Sequence, residues 1–136
     1  MATKPILTLA NAKHIAAAAE IAAQKNAWKV VIAIVDDGGH LVYLQREHDT
    51  QFGSVETAIM KAHAAVAFQR PTKMSEEAVT RGRLIHLALP GVIPAEGGIP
   101  LLINGAVVGG IGVSGVRSFQ DGQIAAAGVV ALEEKL

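Results

Sequence analysis

Small apolar side chains recur at helical spacing near the start of the chain, and they predict a helix over residues 8–26. The stripe that repeats every three or four positions consists of Ala10, His14, Ala17, Ala18 and Ile21, and it is widened by Ile15, Ala19 and Ala22. Thr8 is placed to cap the N-terminus of this helix, and Asn26 is placed to end it. We therefore expect a helix that packs closely through alanines and carries the imidazole of His14 in its apolar stripe.

A continuous apolar run at residues 30–35 predicts a strand that is covered on both faces. Residues 36–39 are two aspartates and two glycines, which favour a tight turn because they tolerate positive φ angles. Residues 40–46 then alternate between two faces, as expected for a second strand. Two strands joined by so short a turn predict an antiparallel hairpin.

Three further helices are predicted, and each begins at a residue that commonly caps helix N-termini. The capping residues are Ser54, Ser75 and Asp121, and the helices cover 54–69, 75–83 and 121–134. An Asn-Gly turn at 104–105 predicts a second hairpin, because this dipeptide favours the turn type that joins adjacent antiparallel strands. Its strands are predicted at 101–103 and 106–113.

The order of these elements predicts a single domain, residues 1–136, of the α+β class. Hairpins with helices before and after them give an antiparallel sheet that is covered by helices on both faces. Residues 84–100 are interrupted by Pro90, Pro94 and Pro100, so this stretch is predicted to be mostly loop. A loop of this length in a compact domain is usually functional or takes part in oligomer contacts.

Charge and composition exclude several classes of function. Twelve basic residues balance twelve acidic ones, so the chain lacks the surplus of cations that sequence-independent binding to nucleic acid requires. The chain contains no cysteine, which excludes disulfides, thiolate chemistry and cysteine-ligated metals.

The sequence also indicates location and assembly. No signal peptide and no membrane-spanning run of about 20 apolar residues is apparent, so we expect a cytoplasmic protein. A neutral surface rich in alanine and glycine favours a symmetric homo-oligomer.

The glycine-rich segment 109–115 resembles a nucleotide-binding loop only superficially, because it lacks the Gly-Lys-Ser/Thr ending of a Walker loop. These glycines fall within a predicted strand, where they indicate close approach of another backbone or of a flat ligand. Beyond them, Ser114 leads towards the predicted helix at Asp121, and the free amides of a helix N-terminus can hold an anionic group.

His14 has two interpretations from the residues alone. It is either a core or interface histidine with a structural role, or an axial ligand to haem iron beside small residues that admit a flat molecule. No histidine pair has the helical spacing typical of metalloproteases, so a zinc site is not expected.

Other charged residues also have two interpretations. Arg46 and Arg70 lie near the ends of predicted elements, where they either bind carboxylates or face water. Asp36 is more typical of a turn than of acid–base catalysis.

Six segments in register resemble the GlcG/HbpS haem-binding family, which also supplies the C-terminal domain of PduO-type corrinoid adenosyltransferases. The segments are 34–42, 61–62, 68–72, 97–100, 109–115 and 120–121. The resemblance extends from about residue 7 to residue 132. It implies a profilin-like layered domain with a five-stranded antiparallel sheet, assembled into dimers or octamers. It also implies haem binding through a helix histidine, here His14, with Thr72 as a second contact near the haem.

The first functional hypothesis is therefore a haem-binding protein for storage, sensing or delivery. A b-type haem would lie between the first helix and the loop 84–100, with His14 as the iron ligand. Arg46 and Arg70 would bind the haem propionates through charge-assisted hydrogen bonds.

Two alternatives belong to other classes of protein. A small enzyme or accessory factor of a catabolic pathway would bind an organic acid or aldehyde through Gly97, Gly98 and the amides of 114–121. His63 or Asp36 would then carry the proton. In the third hypothesis, the glycines and alanines serve only the packing of subunits in a structural or interaction module.

Overall fold

A computed structural model describes residues 1–136 and confirms the α+β class, with helices packed on an antiparallel sheet. The elements are α1 (Leu9–Lys25), β1 (Val31–Asp36), β2 (Leu41–Arg46), α2 (Gly53–Phe68), α3 (Lys73–Thr80), a 3-10 turn (Leu84–Leu87), β3 (Gly98–Ile103), β4 (Ala106–Ser114) and α4 (Ser118–Lys135). The sheet has four strands in the order β2-β1-β4-β3, so the expectation of five strands was wrong. The two hairpins supply every strand, and the rest of the chain is helix or loop.

The ends of α1 were predicted correctly, but its buried side was predicted only in part. The Thr8 side chain accepts a hydrogen bond from the backbone N–H of Asn11 at 3.1 Å, and Asn26 is the C-cap. The buried residues of α1 are Ala12, Ile15, Ala16, Ala19 and Ala23. Ile15 and Ala19 of the widened stripe are thus buried as expected, whereas the part of the stripe that carries His14 is mostly exposed. Because alanine occupies positions all around this helix, its spacing does not distinguish the two sides.

The other three helices begin earlier than predicted. Their N-cap residues are Phe52, Thr72 and Arg117, which precede the predicted caps by two, three and four residues. Ser54 lies inside α2, where its hydroxyl accepts a hydrogen bond from Gln51 Nε2 at 2.9 Å. Asp121 lies in the first turn of α4 and is buried in an ion pair with Lys61. These polar side chains therefore contact groups other than the helix ends, and the predicted capping was wrong.

Strand β3 begins at Gly98, within the stretch that was predicted to be loop. It contains Pro100, which pairs with Gly110 of β4. Proline is tolerated here because β3 is an edge strand, so one side of its backbone needs no hydrogen-bond donor. The remainder of the stretch contains only the short 3-10 turn, as a loop prediction implies.

Helices cover both faces of the sheet, and the residues of β1 alternate between them. Val31, Ala33 and Val35 pack against α2, whereas Ile32 and Ile34 belong to the main core beneath α1 and α4. The burial of every residue from 31 to 35 agrees with the prediction of a strand covered on both faces. None of the helices combines the length and the apolar character needed to cross a bilayer.

Glycines on β4 allow α2 to lie directly on the sheet. A Cβ atom at Gly110 would lie 2.6 Å from the carbonyl oxygen of Ala62, and one at Gly112 would lie 2.5 Å from the amide nitrogen of Ala62. Gly98 on β3 is equally close to the backbone of Lys61. The interpretation of the glycine-rich segment as close backbone approach is therefore confirmed, with a helix as the neighbour.

Candidate functional site

The outer side of α1 carries an imidazole within a field of small apolar side chains. His14 is exposed, and it shares this side with the exposed Ala10, Ala17 and Ile21 and the half-buried Ala18. We call these five residues the α1 outer face. At its C-terminal end, Ala18 and Ile21 lie beside α4, where they line a shallow groove with Gln123 and Ala127, and Ile21 is 55% exposed. Exposed apolar surface of this kind is typical of binding sites.

The ring of His14 is free to bind a metal ion. The histidines whose rings contact polar side chains are His40, His48 and His86, and His14 is not among them. A neutral imidazole without a competing hydrogen bond offers a nitrogen lone pair to iron. His14 and its alanine neighbours are thus chemically suited to a planar metal macrocycle such as haem.

The predicted site between α1 and the loop 84–100 does not form within one chain. The loop packs on the side of α2 and α3, where the N–H of Glu96 donates to the Glu76 carboxylate at 3.1 Å. α1 packs on the opposite side of the sheet, together with α4. The sheet therefore separates His14 from the loop, because consecutive residues of β1 point to opposite sides.

Thr72, Gly97 and Gly98 lie together at the start of β3, as buried residues. The N–H of Gly98 donates to Thr72 Oγ1 at 2.9 Å, and the N–H of Thr72 donates to the carbonyl oxygen of Gly98 at 2.9 Å. The carbonyl oxygen of Gly97 accepts from the N–H of Val113 at 2.9 Å. These polar groups already have partners within the chain, so they hold the segment around Thr72 to the sheet.

A buried ion pair lies beside these residues, and sequence analysis assigned it no role. Lys61 Nζ is 3.1 Å from Asp121 Oδ2 and donates to the carbonyl oxygen of Val113 at 3.0 Å. Asp121 Oδ1 accepts from the N–H of Val116 at 3.2 Å. Both charged side chains are 3% exposed. A Cβ atom at Gly97 would lie 3.0 Å from Lys61 Nζ, so a larger residue there would press on the pair.

Burial governs the protonation of two carboxyl groups in this region. It raises the pKa of Asp121 to about 6, although the Lys61 ammonium and the Val116 N–H both favour the charged form. Burial also raises the pKa of Glu96, against the attraction of Lys73 and with the repulsion of Glu76. The Glu96 side chain lies against Gly122, at the start of α4.

Two further predicted site residues lie at the ends of strands. Ser114 is the last residue of β4 and is buried, directly before the loop that leads to α4. Arg46 is the last residue of β2, and its Nη1 donates to the carbonyl oxygen of Thr50 at 3.0 Å. Arg46 is exposed beside the polar residues of the following turn. The structure therefore does not bring Arg46 into the cluster around Gly97.

Arg70 follows the C-terminus of α2 and has no acidic partner. Its Nε is buried and lacks a hydrogen-bond acceptor. The guanidinium carbon lies 5.8 Å from the centroid of the Phe68 ring, within the range of a cation–π interaction. Arg70 and Thr72 line the same small cavity.

The two proton carriers considered for an enzyme lie near the turn that joins β1 and β2. Asp36 Oδ1 accepts from the N–H groups of His40 and Gly38, both at 2.9 Å. The hydrogen bond from the His40 backbone is the main reason that the pKa of Asp36 is lowered. The turn-forming role of Asp36 is thus confirmed. His63 is exposed on α2, and its ring lies against Gly39.

Comparison with known proteins decides the family. Residues 7–130 match the family described as haem-degrading protein HbpS-like. The chain belongs to the HbpS-like family. Within it, GlcG of Escherichia coli (strain K12) is 41% identical over 114 residues, which are 84% of this chain and 85% of GlcG.

Two solved structures with similar sequences have the same fold as this chain. A double mutant of HbpS from Streptomyces reticuli superposes with a TM-score of 0.86 at 32% identity and covers 97% of this chain and 90% of HbpS. A complex of PduOC with haem superposes with a TM-score of 0.83 at 31% identity. The match covers 93% of this chain and 95% of PduOC. The family resemblance in the sequence is therefore confirmed.

Proposed function

We propose that this member of the HbpS-like family binds haem on the α1 outer face, with His14 as an iron ligand. One observation carries the proposal: His14 is an exposed imidazole without a polar partner, surrounded by small apolar side chains. The description of the family and the PduOC complex with haem support the choice of ligand. Haem bound here would supply an iron centre for storage, sensing or delivery.

The haem would be of the b type, held without covalent bonds. Covalent attachment of haem through Cys-x-x-Cys-His requires cysteines, and this chain has none. The alanines of the α1 outer face leave room for one side of a porphyrin to lie against the helix. The propionate contacts expected from Arg46 and Arg70 do not form within one chain, because both residues lie on the side of the sheet away from α1. Arg46 pairs with Val31 and shares the face of Leu44, which packs against α2, and Arg70 lies beside α2 and α3.

Titration with hemin tests the proposal. The unmodified protein is expected to shift the Soret band to saturation, and His14→Ala is expected to weaken binding by at least about tenfold. His48→Ala is the matched control, because His48 is exposed in the turn after β2 and its ring contacts only the neighbouring Asp49. Equal affinity of His14→Ala and the unmodified protein would remove His14 from the site.

The chain is also proposed to associate with copies of itself. The 3-10 turn exposes three large apolar residues, Leu84, Ile85 and Leu87, with exposed fractions of 63%, 59% and 62%. A second copy covering this turn would remove them from water, and the net charge of zero opposes association little. Light scattering is expected to give a mass that is a multiple of 14.1 kDa and that falls towards 14.1 kDa in Ile85→Glu. The mass of a single chain at every concentration would contradict this.

A further inference from the structure

We propose that a cavity between the C-terminal end of α1 and strand β2 binds a small ligand that carries an ammonium group on an apolar body. The cavity has a volume of about 270 Å³, far above the roughly 15 Å³ that admits a single water molecule. It is partly open to solvent, so a ligand can enter without displacing either element.

The floor of this cavity is apolar and aromatic. Val30 and Ile32 line it and are buried. Trp28 also lines it and is half-buried. The backbone N–H of Trp28 donates to the carbonyl oxygen of Ala23 at 3.0 Å, which holds this residue against the end of α1. The cavity therefore offers a ligand a fixed apolar surface that includes the face of an indole ring.

The residue before Trp28 has a backbone conformation that alanine disfavours. Ala27 has a φ angle of 55°, in the left-handed region where glycine is the usual residue after a helix. Ala27 lines the cavity, so its methyl group adds to a wall that glycine would leave open. Unfavourable conformations of this kind are concentrated at binding and active sites in folded proteins.

Two carboxylates face the cavity from its two walls. Glu20 belongs to α1, and Glu47 directly follows β2. The N–H of Glu47 donates to the carbonyl oxygen of Val30 at 3.1 Å, which holds Glu47 beside the floor. Lys29 lines the cavity as well, and none of these three charged residues belongs to an ion pair. Two negative charges and one positive charge leave the lining with one net negative charge.

These features select the chemical class of the ligand. An ammonium group is attracted by the two carboxylates and by the face of the Trp28 ring, whereas an anion is repelled by the net negative charge. The floor favours an aliphatic body, because burial removes its surface from water. A simple amine and an amino acid both carry the ammonium group, and only the amino acid has a carboxylate for Lys29 to bind.

The cavity is separate from the proposed haem site. None of the five residues of the α1 outer face lines it. Glu20→Gln is therefore expected to bind hemin like the unmodified protein, and His14→Ala is expected to bind the amine like the unmodified protein. Either proposal can fail alone, and loss of both ligands in either variant would contradict two separate sites.

The fluorescence of Trp28 tests the proposal, because Trp28 is the single tryptophan of the chain and lines the cavity. Three ligands share one branched aliphatic body: isoamylamine is a cation, leucine a zwitterion and isocaproate an anion. We expect isoamylamine to change the emission to saturation, and isocaproate to bind at least about tenfold more weakly. Tighter binding of leucine than of isoamylamine would support a carboxylate contact with Lys29. No saturable change with isoamylamine or leucine up to about 10 mM would overturn the proposal, as would tighter binding of isocaproate.

Variants that change one charge each identify the residues that bind the ligand. Glu20→Gln and Glu47→Gln are each expected to weaken the binding of isoamylamine by about five- to tenfold, and Lys29→Gln is expected to strengthen it at least about twofold, because a competing cation is removed. Glu56→Gln is the matched control, since Glu56 is exposed on α2, on the opposite side of the sheet. Unchanged affinity in both variants of the lining glutamates, or weaker binding in Lys29→Gln, would overturn the ammonium site.

Discussion

At the scale of single residues, Lys61 and Asp121 form an ion pair whose members are separated by 60 positions in the chain and buried together. Burial raises the pKa of Asp121 to about 6, above the ordinary value of 3.8. Between these two pH values the folded protein binds a proton at Asp121 more tightly than the unfolded chain does. The contribution of this group to the free energy of unfolding therefore increases as the pH falls from about 6 to about 4.

The pH dependence of stability tests this assignment. The free energy of unfolding of the unmodified protein, minus that of Asp121→Asn, is expected to rise by about 2–3 kcal/mol as the pH falls through this window. Urea unfolding at a series of pH values measures the difference, and carboxyl NMR gives the midpoint of the Asp121 titration directly. A difference that stays constant or falls on acidification, or a midpoint near 3.8, would contradict the raised pKa.

The functional residues could be predicted only in part, for identifiable reasons. His14 was placed correctly on the first helix, but the abundance of alanine in α1 concealed which side is buried. Asp121 was predicted as a cap because its contact with Lys61 joins distant parts of the chain and leaves no local pattern. The available signal was Lys61 itself, the single lysine of an otherwise alanine-rich α2. The unpaired Nε of Arg70 is likewise a property of packing that spacing does not reveal.

At the scale of elements, the packing of α2 on β4 depends on glycines that admit its backbone. Gly112→Ala is expected to reduce the free energy of unfolding by at least about 2 kcal/mol, because its Cβ would overlap the backbone of α2 at Ala58 and Ala62. Gly53→Ala is the control, since a Cβ at this first residue of α2 meets nothing within 4 Å. It should be neutral or slightly stabilising, as alanine favours helices. Urea unfolding measures the free energy of unfolding of both variants. Equal changes in Gly112→Ala and Gly53→Ala would contradict the close packing of α2 on the sheet.

The elements themselves were largely predictable because their signals are local. The Asn-Gly turn and the turn at residues 36–39 fixed both hairpins, and the pattern of residues 30–35 indicated burial on both faces. The start of β3 escaped prediction because glycine and proline usually end strands, whereas an edge position accepts Pro100. The expectation of five strands came from the family resemblance, and the two hairpins provide four.

At the scale of the whole molecule, the sheet divides the protein into two chemically different sides. One side presents the α1 outer face with His14, and the other holds the cavity at Arg70 beneath α2 and α3. The Lys61–Asp121 pair joins α2 to the start of α4 near the edge strand.

Rescue by imidazole tests the central claim most directly. We expect His14→Ala mixed with hemin to lack the Soret band of the unmodified complex, and added imidazole to restore that band by replacing the missing ring beside the alanines of the α1 outer face. His48→Ala should match the unmodified protein without imidazole. If His14→Ala instead gives the unmodified spectrum, and imidazole leaves it unchanged, then His14 does not bind the iron and the α1 outer face is not the haem site.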